Sequence, residues 1–208
     1  MSLFLNGLFI GELKPDATVA GCIDIFENAW PDPKQTIDLV ENLCNDPLSQ
    51  IRWDRAGTLG NGAFQDARTN YMLGVTALAD FEENGLLQNI HNQFQMILMS
   101  SVNYYTQRYG IEGNLYPEPF SLLRYENSQE YKKHYDGGSS LVPRVVSAVC
   151  YLNDDYEGGE IEFPYFNVKI KPEPGMLILF PSSFSYSHIA HPVTKGKKYN
   201  LVTWFKDQ

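Results

Sequence analysis

A histidine and an aspartate stand two positions apart at His134-Tyr135-Asp136, inside EYKKHYDGGSS. In an extended strand, residues i and i+2 project to one face. His134 and Asp136 would then offer an imidazole nitrogen and a carboxylate oxygen to a single cation, with Tyr135 turned away. That donor pair favours a borderline metal, Fe(II), Mn(II) or Zn(II), over Ca(II) or Mg(II). A third donor must come from elsewhere among the four histidines. His91 lies on the flank of an apolar helical stripe and reads as structural, which leaves His188 or His191 in YSHIAHPV. Two imidazoles and a carboxylate on iron leave positions for a chelating cosubstrate and O₂. The same donors also make a hydrolytic zinc site with one open position. Alone, the His-x-Asp spacing is weak, since a solvated pair at a strand end looks the same.

These residues sit among short β-like runs. From about residue 119 the chain reads FSLLRYE, EYKKHYD, RVVSAVCYLN, GEIEFPYF, VKIKP, GMLILF, YSHIAHPV and KYNLVTWF, separated by turns such as DGGSS, YEGGE, KPEPG and TKGKK. Such spacing predicts a sandwich, barrel or jelly roll. Gly158-Gly159 reads as a tight hairpin or bulge, and Asn153 as a turn cap. Upstream, WPDPKQTIDLVENLCNDP predicts a helix with Asp32 at the N-cap, Pro33 in the first turn and Ile37, Val40 and Cys44 facing the core. Over 82–108, Leu87, Ile90, Phe94, Ile97, Leu98, Val102 and Tyr105 form one apolar stripe and predict a long helix. RTNYMLGV reads as a strand, and the glycine-rich 54–67 as an irregular loop.

The length of 208 residues suits one domain. The expected class is α+β, with 1–118 supplying helical and sheet support and 119–208 a metal-binding jelly-roll core. A net charge of −9 argues against a nucleic-acid partner. Cys22, Cys44 and Cys150 form no CxxC pair and read as reduced, buried thiols of a cytosol-like compartment. The N-terminal stretch is a poor signal peptide, and no apolar run is long enough to span a membrane, so the expectation is a cytoplasmic protein.

Four blocks in order, LRYENSQEYKKHYDGG, RVVSAVCYLNDDYEGGEIEFP, KPEPGMLILFPSS and SHIAHPVTKGKKYNLVTWF, resemble the prolyl-4-hydroxylase-like family of Fe(II)- and 2-oxoglutarate-dependent dioxygenases. The resemblance covers roughly 120 to 208 and touches ARTNYML at 67–73. It implies a double-stranded β-helix, the cupin-like jelly roll. It also implies that His134, Asp136 and His188 hold the metal, His188 standing four residues before Pro192 and ten before Lys198. His191 then becomes a supporting or structural residue. Lys198 matches the cation that pairs with the distal carboxylate of 2-oxoglutarate, Tyr125 a tyrosine that hydrogen-bonds it, and Thr203 and Trp204 pocket residues of the same strand. A buried carboxylate does need such a cation and donor. The role of Arg124 stays open between a core ion pair and a place in the site.

The implied reaction decarboxylates 2-oxoglutarate to succinate with O₂ and hydroxylates a substrate C–H bond, with Fe(II) as metal and ascorbate as an optional reductant. The expected partner is a peptide or protein, a proline-containing segment first. The glycine-rich 54–67 loop and 136–144 are expected to cover the substrate. The alternatives are a cupin-type metalloenzyme or hydrolase that does not use 2-oxoglutarate, an oxygenase acting on a free amino acid or small metabolite, and a binding module that has lost its chemistry.

Overall fold

The computed structural model describes residues 4–5, 8–9, 13–56, 67–79, 85–137 and 143–207. Helix α1 (Pro33–Asn45) begins where the sequence places it, with Asp32 at the N-cap and Pro33 first. Asp32 makes no side-chain cap; the Thr36 hydroxyl donates to the Asp32 carbonyl (3.1 Å) and accepts from Trp30 Nε1 (2.9 Å) instead. Thr36, Val40 and Cys44 are therefore the buried positions, with Ile37 packed half-buried against the same core. The short α2 (Val75–Leu78) precedes the long α3 (Leu86–Tyr109), whose seven stripe residues are all buried. The predicted start of that helix at 82 falls outside the described residues. His91 lies 3.1 Å from the Thr76 hydroxyl and stacks on Phe120, a structural position.

Strands β1 (Phe4–Leu5) and β2 (Leu8–Phe9) pair with each other. The main sheet takes β3 (Ala17–Val19), β4 (Ile23–Phe26), β5 (Asp54–Arg55), β6 (Tyr71–Leu73), β7 (Leu115–Pro117), β8 (Ser121–Glu126) and β10 (Arg144–Tyr151), with β14 (Leu177–Pro181) and β17 (Lys197–Asp207). Its order is β3-β4-β14-β10-β17-β8-β6-β5, with β7 beside β17. A second sheet orders β13 (Val168–Ile170), β12 (Ile161–Phe163), β15 (His188–Ala190) and β9 (Tyr131–His134), and β11 (Glu157–Gly158) pairs with β16 (Val193–Lys195). All these pairings are antiparallel. This is the expected α+β jelly roll, and several runs are shorter than predicted. β12 ends at Phe163 because Pro164 opens a 3-10 turn, and a second 3-10 turn over Phe184–Tyr186 delays β15 to His188.

The long sheet has two buried faces because alternate residues point opposite ways. Leu122, Val146, Ala148, Cys150, Leu177, Leu179, Leu201 and Phe205 pack with α1 and α3. Leu123, Val149, Tyr151, Ile178, Phe180 and Val202 pack with Ile161 and Phe163 of the second sheet. The Phe163 and Phe180 rings meet edge-on at 5.0 Å and close one side of that inner core. Cys44 and Cys150 are buried, but Cys22 is partly exposed, against the expectation of three buried thiols. Among the described residues no helix is long and apolar enough to cross a membrane.

Candidate metal centre and cosubstrate cavity

β9 ends at His134, so Asp136 belongs to the turn that follows and not to the strand itself. The two side chains still converge: His134 Nε2 is 3.5 Å from Asp136 Oδ1. β15 lies antiparallel to β9 with His188 opposite His134, which brings His188 Nε2 to 3.8 Å from Asp136 Oδ2. One donor atom from each of the three residues lies within 4.8 Å of the other two. His191 is not in this group; its Nε2 is 2.6 Å from Glu162 Oε2, on a different face of the sheet end.

Both imidazoles are oriented from behind. His134 Nδ1 donates to the Lys132 carbonyl (2.7 Å) and His188 Nδ1 to the Tyr186 carbonyl (3.1 Å). A carbonyl can only accept, so Nδ1 carries the proton and Nε2 presents a lone pair. Burial pulls the His188 imidazolium down to about 4, so the ring is neutral at pH 7. Burial alone would raise the Asp136 carboxyl, but the facing His188 and His134 and the Ser147 hydroxyl outweigh it and hold it well below the usual carboxylate range. Lone pairs and a carboxylate thus face one another at 3.5–3.8 Å. A shared cation satisfies that arrangement, and two imidazoles with one carboxylate suit Fe(II), Mn(II) or Zn(II).

The carboxylate is in turn fixed. Ser147 Oγ donates to Asp136 Oδ2 (2.7 Å) and lies 2.8 Å from Ser182 Oγ. Gly137 N donates to the Ser182 carbonyl, and a Cβ at Gly137 would come within 2.8 Å of that oxygen, so the backbone approach requires glycine. Such supporting contacts set ligand direction and basicity.

Behind the three residues is a cavity of ≈ 450 Å³, counting its open mouth. Lys198 reaches its inner end, 1% exposed, with Nζ donating to the Gly159 carbonyl (2.5 Å) between the rings of Tyr125 (5.4 Å) and Tyr151 (5.1 Å). Burial pulls the Lys198 ammonium down to about 7, with Glu160 acting the other way. Gly159 has φ +71°, and a Cβ there would meet the Tyr156 ring at 2.8 Å, which accounts for the Gly-Gly pair. Tyr125, paired with Lys198 across β8 and β17, also lines the cavity. Burial pushes its hydroxyl up to about 12, which keeps it a donor.

Trp204 lines the cavity, but Thr203 does not. Strand alternation turns Thr203 to the other face, where its hydroxyl donates to the Glu118 carbonyl (2.7 Å). That corrects the expectation that both are pocket residues. Arg124 is likewise outside, paired with Glu41 at 3.0 Å over the Trp53 and Tyr71 rings. Asn153 binds Asp155, the Lys197 carbonyl and Tyr199 N, a tie between turns.

The cavity also takes residues that sequence reasoning passed over: Arg68, Tyr131, Tyr151 and Asn200. Tyr131 stacks on His134 (3.4 Å), and Arg68 lies 5.1 Å over the Tyr131 ring. Arg144 forms a two-point pair with Glu118 (2.7 and 2.8 Å) over the Trp204 ring and donates to the Asp136 carbonyl (3.3 Å). The signal for Tyr151 and Asn200 was their parity with Val149 and Lys198; Tyr131, three residues before His134 on β9, carried no such signal. The expected covers over 54–67 and 136–144 largely involve 57–66 and 138–142, outside the described residues.

Residues 120–206 match the family model described as the 2OG-Fe(II) oxygenase superfamily. Over 119 residues the chain is 35% identical to a probable prolyl 4-hydroxylase 9 of Arabidopsis thaliana, covering 44% of this chain and 41% of that one. Over 157 residues it is 29% identical to prolyl 4-hydroxylase 13 of the same plant, covering 62% and 53%. The chain spans about half the length of these curated relatives. In fold it is similar to the viral collagen prolyl hydroxylase of Paramecium Bursaria Chlorella virus-1, with a TM-score of 0.62 at 18% identity over 91% of this chain and 98% of that one. It is also similar to a prolyl hydroxylase from Trichoplax adhaerens, solved with a hypoxia inducible factor peptide fragment, with a TM-score of 0.64 at 18% identity over 90% and 84%.

Proposed function

We propose that the chain is an Fe(II)- and 2-oxoglutarate-dependent hydroxylase acting on a prolyl residue of a peptide or protein, a reading supported by the match of residues 120–206 to the 2OG-Fe(II) oxygenase superfamily model and by the prolyl hydroxylase relatives. The observation that carries this reading is the pairing, in one cavity, of the His134, Asp136 and His188 donors with a buried lysine at the far end. A hydrolytic metal site has no need of the lysine. A chelating dicarboxylate does, because its distal carboxylate would otherwise be buried unpaired.

In this reading His134, Asp136 and His188 hold Fe(II), and Lys198 with the Tyr125 hydroxyl receives the distal carboxylate of 2-oxoglutarate. Iron held there would supply the two coupled oxidations, 2-oxoglutarate to succinate and CO₂ and a substrate C–H to an alcohol, both at the expense of O₂. The residues of the chain do the rest. The Lys132 and Tyr186 carbonyls keep each Nε2 turned inward. Ser147 directs the Asp136 carboxylate. Leu123, Val149, Ile161 and Val202 keep the cavity wall apolar and exclude water around the cosubstrate. Tyr131, Trp204 and the Arg144–Glu118 pair stand near the donors, where a peptide would be oriented. A proline-containing segment fits an aromatic-lined mouth because proline packs on rings.

The test is an anaerobic optical titration of the full chain with Fe(II), then 2-oxoglutarate. A visible charge-transfer band is expected in the wild type and in His191→Ala, and none in His188→Ala. Tight Zn(II) binding with no band on adding 2-oxoglutarate to the iron-loaded chain would move the assignment to a cupin-type metalloenzyme or hydrolase. Succinate release stimulated by proline-containing peptides, and not by free amino acids, then tests the substrate class.

A further inference from the structure

We propose that Asn200 is a further cosubstrate-binding residue, whose carboxamide hydrogen-bonds the distal carboxylate beside Lys198 and makes the cavity select a 2-oxo diacid over a 2-oxo monoacid. This rests on the 2-oxoglutarate reading above and concerns a residue that neither the motif spacing nor the ligand geometry required.

Asn200 is 4% exposed and lines the same cavity as Lys198. Its Oδ1 is enclosed and has no hydrogen-bond partner. Buried amide oxygens are nearly always paired, so an unpaired one on a residue that lines a cavity marks a missing partner. Strand parity sets the place. Lys198, Asn200, Val202 and Trp204 share one face of β17, and Asn200 is one pleat from Lys198 towards the metal ligands. Across the sheet its neighbours are Leu123 on β8 and Tyr151 on β10, both of which also line the cavity. Leu123 offers it no polar atom, and the inner end of the cavity is otherwise served by the Lys198 ammonium and the Tyr125 hydroxyl.

A carboxylate has about four acceptor sites. One Lys198 proton is committed to the Gly159 carbonyl. The remaining ammonium protons and one phenol leave room for another donor, and an amide supplies it by a half-turn about its last torsion, which exchanges Oδ1 and Nδ2. An acceptor facing a carboxylate would repel it, so the bound form has Nδ2 inward. A 2-oxo monoacid has nothing at that position and offers the amide no partner there.

The experiment is calorimetric titration of Mn(II)-loaded full-length chain with 2-oxoglutarate and with 2-oxobutyrate, in the wild type, Asn200→Leu, Asn200→Ser and Asn200→Asp. Thermal unfolding without ligand reports on folding, and Asn200→Ser carries the comparison if the leucine variant does not fold. Loss of a hydrogen bond to a charged group predicts roughly tenfold weaker 2-oxoglutarate binding in Asn200→Leu, with 2-oxobutyrate unchanged. Asn200→Asp, which sets a second carboxylate against the ligand and beside Lys198, is expected to lose roughly a hundredfold. Unchanged 2-oxoglutarate affinity in the folded variants overturns the inference, as does an equal loss for both ligands, which would mark a packing role. A wild-type chain that binds Mn(II) but no 2-oxoglutarate overturns the cosubstrate reading itself, an outcome distinct from failure at Asn200.

Discussion

Tyr199, Leu201 and Phe205 of β17 face the helices, while their sequence neighbours Lys198, Asn200 and Trp204 face the cavity. On the helix side, polar groups find partners inside the protein. Tyr199 donates to Glu41 at 2.9 Å, and Arg124 pairs with the same carboxylate at 3.0 Å. Burial would raise Glu41, but Arg124 and Tyr199 outweigh it and keep it ionised. Arg124 Nε lacks a hydrogen bond, yet Glu41 and the Trp53 and Tyr71 rings close off its guanidinium. On the cavity side the same strand leaves an ammonium with one acceptor and an amide oxygen with none, and β9, its following turn and β15 bring two imidazoles up to a carboxylate. The helix face pairs most of its polar groups internally, Arg124 Nε and Trp53 Nε1 excepted; in the proposed reading a metal and an anion complete the cavity face.

The largest effect that separates the faces should come from the helix side. Phe94 is fully buried, edge-on to Trp30 and to Phe120 at 6.0 and 5.1 Å. Phe94→Ala is expected to cost about 3–5 kcal/mol of unfolding free energy, read by urea denaturation. Mn(II) affinity of the folded fraction should not change. A large loss of metal affinity there would show that the two faces are not separable.

Lys198 breaks the comparison in the opposite direction. Its ammonium titrates near 7 when folded and near 10.5 when unfolded. Across that window the unfolded chain holds a proton that the folded chain lacks, so this residue makes stability climb with pH and level off above it. Lys198→Met should therefore raise the stability of the metal-free protein at pH 7 by on the order of a few kcal/mol and flatten its climb towards pH 10. The same variant should lose 2-oxoglutarate binding. Melting temperatures of both proteins from pH 6 to pH 10 check the sign, and a less stable variant at pH 7 would mean that the charge is better solvated than its burial implies.

The alternation of faces explains what could be read from sequence. The helical stripe of α3 was legible because every turn repeats the same demand for burial, and all seven of its residues are inside. The candidate ligand types were legible because few side chains bind iron and the chain has four histidines; the fold brings three of the candidate donors, His134, Asp136 and His188, together. Thr203 was misplaced by proximity along the strand: it is one residue from Trp204, and one residue is a change of face. Asn200 was missed although it is two residues from Lys198, on the same face, where parity could have found it. Arg68 and Arg144 reach the site through pairings with Tyr131 and Glu118 that depend on register between distant strands, which local pattern does not encode. The end of β9 at His134 was also hidden, since extended and turned backbones can both bring His and Asp together.

The smallest effect is the most discriminating for the cavity face. Ser147 is fully buried on β10, and its hydroxyl supplies a 2.7 Å hydrogen bond to Asp136 Oδ2. Its backbone neighbours Val146 and Ala148 face the helices, so Ser147→Ala leaves that core untouched. Asp136 would keep its charge through His188 and His134 but lose the contact that directs Oδ2, and Ser182 Oγ would lose its 2.8 Å partner. Loss of an outer contact to a metal ligand predicts about 10–100-fold weaker metal binding, with unfolding free energy lowered by only about 1 kcal/mol. Competition with a metal-sensitive dye and urea denaturation measure the two quantities on one sample. Metal affinity equal to wild type would mean that Gly137 and the β9 turn alone fix the carboxylate, and that the hydroxyl pair of Ser147 and Ser182 is packing, not part of the centre.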